Sequence, residues 1–246
     1  MEAARVLKLR GHEPVIHEQT DHLGGTFIAA SAESYKGKLR DLLTWYRKQM
    51  ADLGIEIHYN EKVESIDQFA GAPVIIATGA VPRVLKKVPG HEKMVEACEY
   101  LTGTLVGEKV AVIGGGMVGC ETAEYLAARG CKVSVIEMMD KIAAGESTTI
   151  LPTLLENYKT YGVEQYPSHK VKEFRMDAVV CENKDGAEVT IPCDYIVLAM
   201  GARSNEFDAA ALEAASIPVY SIGDAAGKAA DISNAIRTGY DTACQL

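Results

Sequence analysis

The sequence predicts an α/β fold with two similar three-layer units. Three observations lead there. Buried strand runs alternate with amphipathic helices along the chain. A strand, a glycine-rich loop, a helix, a second strand and an acidic residue follow one another in the middle. The first 21 residues repeat a piece of that central unit.

The repeat aligns residues 1–21 with residues 120–140 without a gap. Identical pairs are Glu2 and Glu121, Ala4 and Ala123, Leu7 and Leu126, Arg10 and Arg129, Gly11 and Gly130, Glu18 and Glu137, and Asp21 and Asp140. Each copy reads as a helix, a glycine at its C-terminal end, and a short apolar strand that finishes in a glutamate. Those strands are Pro14–Glu18 and Lys132–Glu137.

The second copy also shows what precedes its helix. Lys109–Ile113 is a buried-strand run, and Gly114, Gly115, Gly116, Met117, Val118 and Gly119 follow it. Gly114, Gly116 and Gly119 fit G-x-G-x-x-G between a strand and a helix. The first glycine allows a tight turn, the second a close approach of backbone to a pyrophosphate, and the third close packing of helix on strand. The pyrophosphate then rests on unpaired N–H groups at the positive end of the helix. Glu137 stands at the end of the next strand, about 20 residues on, placed to take both ribose hydroxyls of an adenosine. A carboxylate there repels a 2′-phosphate, and Glu137-Met138-Met139-Asp140 holds no arginine to bind one, so NAD(H) is favoured over NADP(H). The motif therefore predicts a Rossmann-like dinucleotide-binding unit.

Taken in order, the other elements support the same class. Leu23-Gly24-Gly25 follows the first acid, and Lys36–Leu53 is an amphipathic helix with Leu39, Leu42, Leu43 and Tyr46 on its apolar face. Ile55–Tyr59 alternates like a strand. Pro73–Ile76 is a buried strand run that ends in Ala77-Thr78-Gly79. Arg83 to Gly107 reads as a connector with a short helix around Val95–Leu101. After the glycine-loop unit, Phe174–Val180 and Glu188–Ile191 flank the turn residues Asp185-Gly186 as a hairpin. Asp194–Met200 is another buried strand, closed by Gly201. Val219–Ile222 is a strand running into Gly223-Asp224, and Ile232–Gln245 is the closing helix.

Composition removes several functions. Lys plus Arg number 25 against 34 Asp plus Glu, a net charge of −9, which argues against nucleic-acid binding. An apolar fraction of 48% suits a globular core, and no run approaches the roughly 20 apolar residues of a membrane span. The N-terminus lacks the apolar segment of a signal peptide. None of the six cysteines stands in a C-x-x-C pair or at ligand spacing from a histidine. That disfavours a zinc site, a cysteine-held iron–sulfur cluster and a dithiol redox centre. A cytoplasmic location is expected. No nucleophile–base constellation stands out, so no catalytic residue and no metal ligand is assigned. His12, His17, His22, His58, His91 and His169 are scattered and read as surface or satisfied histidines.

The phrases MEAARVLKLRGHEPVIHE, LGG, IIATGAVPR, KVAVIGGGMVGCETAEYLAARGCKVSVIE, DYIVLAMGAR, SIGDAAG and NAIRTGYDTA together resemble the flavoproteins with two dinucleotide-binding domains of the glutathione-reductase class. More narrowly, the chain is similar to the C-terminal region of the NADH:flavin oxidoreductases grouped with 2-enoate reductase, 2,4-dienoyl-CoA reductase and trimethylamine dehydrogenase. The resemblance covers essentially the whole chain. It implies a discontinuous FAD-binding-type domain at 1–102 and 203–246, with an NAD(H)-binding domain at 103–202 inserted in it. By resemblance, Glu18 holds the FAD adenosine ribose and Val63 meets the adenine through its backbone. Ala77, Thr78 and Gly79 lie against the cofactor, Gly25 belongs to the same cofactor-binding set, and Asp224, backed by Gly223, accepts from a ribityl hydroxyl. Gly201 joins the glycine loop and Glu137 in the cofactor-binding set.

Departures from that family shape the functional expectation. Met1 is the counterpart of Cys120, the residue directly after Gly119, so the first copy begins where its glycine loop would end. The FAD domain is therefore expected to be incomplete, lacking its first strand and glycine loop, and part of a longer polypeptide. Two missing charge-assisted hydrogen bonds to a pyrophosphate cost about 3–6 kcal/mol, so FAD is expected to bind weakly or not at all. The family's N-terminal FMN-binding barrel and [4Fe–4S] cysteines do not occur in these residues. The leading expectation is an NADH-dependent module that passes hydride from NADH to FAD and on to another centre of a larger enzyme. Its partners are then NADH and either the FMN-barrel and iron–sulfur parts of that enzyme or a separate electron acceptor. The alternatives are a free-standing FAD-dependent NADH:acceptor reductase with a mis-set start, and a dinucleotide-binding fragment without activity of its own.

Overall fold

The computed structural model describes residues 1–32, 36–64, 69, 71–96, 108–145, 147–205, 217–227 and 230–246. In chain order its elements are α1 (Glu2–Leu9), β1 (Val15–His17), α2 (Thr26–Ala30), α3 (Gly37–Asp52), β2 (Glu56–His58), β3 (Val74–Ile76), β4 (Ala80–Pro82) and β5 (Met94–Glu96). They continue as β6 (Lys109–Ile113), α4 (Met117–Ala127), β7 (Lys132–Ile136), α5 (Leu151–Tyr161), β8 (Glu164–Tyr166), β9 (Lys170–Phe174) and β10 (Ala178–Glu182). The last are β11 (Glu188–Pro192), β12 (Tyr195–Leu198), β13 (Ala202–Ser204), β14 (Val219–Ser221) and α6 (Ile232–Gln245). The α/β class read from the sequence is the class observed.

The chain divides into two compact units, Met1–Val81 with Ala202–Leu246, and Pro82–Gly201. The first seam thus falls at Val81, short of residue 102. Residues from Pro82 onward belong with the second unit: the Phe174 N–H donates to the Pro89 carbonyl at 2.9 Å. Strand β5 adds to that unit's sheet through its pairing with β12. The helix expected around Val95–Leu101 lies outside the described residues from 97 onward, and Val95 itself is in a strand.

The second unit is a five-stranded parallel sheet in the order β5-β12-β6-β7-β8. Its central strands β12, β6 and β7 read as largely apolar runs because both faces are covered. Val110 and Val112 of β6 face helices α4 and α5, in a cluster with Cys120, Ala123, Leu126, Val135 and Tyr158. Ala111 and Ile113 point the other way, into a cluster with Phe174, Val179, Cys181 and Ile191 of the antiparallel sheet β9-β10-β11. The buried Tyr158 hydroxyl donates to the Cys120 carbonyl at 2.9 Å, so this core carries its polar group satisfied.

One strand assignment is corrected here. Phe174–Val180 is not one strand, because β9 ends at Phe174 and β10 begins at Ala178. Val179 then pairs antiparallel with Phe174. The chain reverses over Arg175–Asp177, and both flanking apolar stretches reach the same cluster. Helix α5 and strand β8 were not anticipated.

In the first unit, α1 packs on α6 through Ala3, Val6, Leu7 and Ala243, with Ile222 beneath. On its other side Ala4 meets Leu23, Met50 and Ile55. Strands form parallel pairs β1-β2 and β3-β14, and β4 pairs with β13.

Internally, the two units repeat one another well past the aligned residues. Val15, Ile16 and His17 pair with Glu56, Ile57 and His58 just as Ser134, Val135 and Ile136 pair with Glu164, Gln165 and Tyr166. Ile55 N–H returns to Met50 O at 3.0 Å, and Val163 N–H to Tyr158 O at 2.8 Å, after α3 and α5 respectively.

Candidate dinucleotide-binding sites

The best-formed site lies in the second unit, at the C-terminal ends of its parallel strands, where open α/β sheets place ligands. Strand β6 delivers Gly114, whose N–H donates to Ile136 O at 2.9 Å. Its φ of +106° suits glycine, and a Cβ there would lie 2.4 Å from Ala199 O. A Cβ on Gly119 would lie 1.8 Å from Gly114 O, so α4 can approach the strand only without one. Gly116 differs from both. It has ordinary extended backbone, φ −79° and ψ −174°, and a Cβ on it would meet nothing within 4 Å. Packing explains the outer two glycines and leaves the middle one unexplained. An open face at the N-terminus of α4 is what a pyrophosphate requires, so these residues fit the dinucleotide.

Glu137 completes the loop. One carboxylate oxygen, Oε2, accepts from Gly115 N–H at 2.7 Å, and Oε1 accepts from Met139 N–H at 2.7 Å. The acid predicted from spacing is thus directly against the glycine loop. Met117, Val118, Met138 and Met139 are exposed around it. Gly201 follows β12, and its carbonyl accepts from Arg83 N–H at 3.0 Å.

The first unit holds the same acid in the same setting. Glu18 N–H donates to His58 O at 2.9 Å as Glu137 N–H does to Tyr166 O at 3.0 Å. Glu61 N–H donates to Glu18 O at 2.9 Å, as His169 N–H does to Glu137 O at 2.8 Å. Glu18 Oε1 accepts from Thr20 N–H at 2.9 Å, matching the Met139 contact. Even the uncommon positive φ recurs, at Asn60 (56°) and Ser168 (57°). Thr20, whose hydroxyl also donates to Glu18 at 2.8 Å, was missed by sequence reasoning. Its alignment with Met139 was the available signal.

The remaining expected residues sit at two places in this unit. Gly25 begins α2 with φ 50°, and Val63 is half-buried just past the Glu61 turn. Strand β3 leads into Ala77, Thr78 and Gly79, and its neighbour β14 into Gly223 and Asp224. Both therefore lie at one end of the β3-β14 pair. Asn205, not anticipated, straps this end. Its N–H donates to Gly79 O at 2.9 Å, while its carbonyl accepts from the Thr78 hydroxyl at 2.9 Å. Thr238, also missed, accepts from the buried Gly223 N–H at 2.8 Å. Asp224 Oδ1 accepts from Ala230 N–H at 2.8 Å.

Two histidines described as scattered prove to be neighbours. Parallel pairing sets His17 beside His58, with ring centroids 5.0 Å apart and Glu61 hydrogen-bonded to both. The glutamate joins two imidazoles, which lowers its pKa. His58 is raised by Glu56 and by Glu61. Cys181 and Cys193 are buried free thiols, pushed up by desolvation to about 12 and about 11.

Comparison with known proteins gives a consistent picture. The chain is 40% identical to the bilirubin reductase of Mediterraneibacter gnavus (strain CC55_001C), over 98% of this chain and 38% of that protein. It is 33% identical to the NADH oxidase of Thermoanaerobacter brockii, over 100% of this chain and 39% of the other. Among solved structures, a 2-naphthoyl-CoA reductase complex superposes with a TM-score of 0.90 at 28% identity, over 100% of this chain and 38% of that one. The chain thus spans about two fifths of the length of these relatives. Among the described residues, no helix is long and apolar enough to cross a membrane. Residues 1–239 match the pyridine nucleotide-disulphide oxidoreductase family. This chain belongs to that family of oxidoreductases, whose Rossmann-like units bind FAD and NAD(H).

Proposed function

We propose that the chain is the NADH-oxidising part of a larger flavoenzyme of the NADH:flavin oxidoreductase group. In this reading Pro82–Gly201 binds NAD(H), and Met1–Val81 with Ala202–Leu246 binds FAD. The observation that carries it is the duplicated acid: Glu18 and Glu137 end equivalent strands with equivalent hydrogen bonds. A glutamate so placed accepts from adenosine ribose hydroxyls, and two such sites suit two dinucleotides.

When bound, the cofactors supply the hydride chemistry, which asks for no acid or base from the protein. The chain's residues bind and orient. N–H groups at the start of α4 hold the pyrophosphate, with Gly116 leaving the approach open. Glu137 fixes the ribose and repels a 2′-phosphate. Glu18 takes the ribose of FAD, Val63 lies near its adenine, and Gly25 belongs to the same cofactor-binding set. Ala77, Thr78, Gly79, Gly223 and Asp224 line its remainder from the β3-β14 end. The partners in this reading are NADH and either an FMN-barrel and iron–sulfur part of the same enzyme or a separate electron acceptor, to which the bound cofactors would pass the electrons. The two-fifths coverage of the named relatives supports a reaction completed elsewhere.

Fluorescence titration of the purified chain with NADH and with NADPH tests the reading. Saturable binding with NADH preferred over NADPH is the expected result. A chain that binds neither nucleotide overturns it.

A further inference from the structure

We propose that His17, His58 and Glu61 form a binding site for a divalent transition cation of the zinc class. The inference is independent of the cofactor assignment above.

His17 closes β1 and His58 closes β2, and the parallel register pairs them directly. In-register neighbours project from the same face of a sheet, so both imidazoles stand side by side. Glu61 follows three residues after His58, its turn held by the Glu61 N–H bond to Glu18 O at 2.9 Å. Its Oε1 lies 2.7 Å from His17 Nδ1, and its Oε2 lies 3.0 Å from His58 Nδ1. One ligand atom from each residue falls within 4.8 Å of the others. Small inward shifts bring all three onto one ion at the roughly 2.0–2.2 Å that zinc requires.

A fourth side chain orients the set. Glu56 Oε1 lies 2.7 Å from His58 Nε2. When Nε2–H donates to Glu56, the Nδ1 lone pair faces the centre of the cluster. Metal-binding histidines are held by such a carboxylate on their second nitrogen. The edge of Phe69 against His17, with ring centroids 5.2 Å apart, restrains the other imidazole.

The internal repeat shows that the fold does not impose this group. Ile136, Tyr166 and His169 occupy the equivalent positions in the second unit, on the same hydrogen-bonded turn. There Ile136 is 1% exposed in an apolar cluster, and His169 gives its Nδ1 to the Pro167 carbonyl at 2.7 Å. With backbone held constant, the first unit replaces hydrophobic packing with two imidazoles and a carboxylate. Because successive side chains alternate, His17 faces away from the side of β1 that carries Glu18, so an ion here leaves the ribose acid free.

The donor set names the cation class. Two nitrogens and one oxygen suit Zn2+ and its neighbours, whereas Ca2+ and Mg2+ take oxygen ligands. Three protein ligands leave one position open to water or another small ligand.

The test uses the tag-free full chain, treated with a chelator and titrated with Co2+ and then Zn2+. One equivalent of Co2+ should produce a four-coordinate visible absorption band that Zn2+ abolishes, and Zn2+ should raise the Tm. His17→Gln and Glu61→Gln chains, shown folded by circular dichroism, should lose both effects. Glu56→Gln should keep the band and weaken affinity by about 10–100-fold. Absence of a Co2+ band in the unaltered chain overturns the proposal and leaves a hydrogen-bonded His–Glu–His cluster. A band that survives in both His17→Gln and Glu61→Gln overturns it equally.

Discussion

Gly116 and Gly119 belong to one motif, yet their alanine variants should fail in opposite ways. In Gly119→Ala the new methyl would fall 1.8 Å from the Gly114 carbonyl oxygen. Ordinary contact needs about twice that, so α4 must retreat from β6 and disturb Cys120, Ala123 and Val112 in the core between them. Overpacking of this kind costs about 1–3 kcal/mol, and more where backbone is the obstacle. For a unit of this size the Tm should fall by on the order of 5–10 °C. Gly116→Ala meets nothing within 4 Å and keeps an extended backbone that any residue adopts. Its stability should hold or rise by up to about 1 kcal/mol, because the unfolded chain loses freedom. The methyl instead stands where a pyrophosphate would lie. Losing one charge-assisted hydrogen bond of about 1.5–3 kcal/mol weakens binding roughly 10–150-fold. Thermal melts and NADH fluorescence titrations of the two variants separate the effects. A Gly116→Ala chain that binds NADH as before, or a Gly119→Ala chain that melts as before, refutes the division of roles.

Three further outcomes follow from the same geometry. Glu137→Ala should weaken NADH binding by about 10–100-fold and bring NADPH closer to parity, since both the ribose acceptor and the repulsive charge are gone. Comparing the two Kd values checks it, and an unchanged ratio removes Glu137 from selectivity. Thr238→Val leaves the buried Gly223 N–H without the acceptor it has at 2.8 Å and should cost about 1–3 kcal/mol in urea unfolding. The buried thiols predict the alkaline behaviour. Folded values of about 12 for Cys181 and about 11 for Cys193 stand above the ordinary 9.0. Their contribution is therefore whole below pH 9 and is lost as pH rises toward 11–12, because only the unfolded chain ionises readily there. The Cys181→Ala, Cys193→Ala chain should show a shallower fall in stability between pH 9 and 11, and an equal slope would count against thiol ionisation as the cause.

Local pattern and tertiary structure divided the determination of this protein. Gly114, Gly116, Gly119 and Glu137 were legible because strand, loop, helix and acid are consecutive, and their geometry is set over a few tens of residues. The aligned segments 1–21 and 120–140 announced a duplication for the same reason. Boundaries failed where two short apolar strands abut without a glycine or proline: the run from Phe174 to Val180 hid a reversal that only pairing of Val179 with Phe174 reveals. The seam at Val81 was hidden as well, because Pro82 onward is assigned by distant partners such as Phe174. Nor could sequence place Asn205 on Thr78, or set His17 beside His58. Those contacts join residues far apart in the chain, and the pairing of remote strands that creates them is not recorded in local periodicity. Sequence alone thus determined the glycine loop and the acid that closes on it, and tertiary structure decided which remote side chains meet.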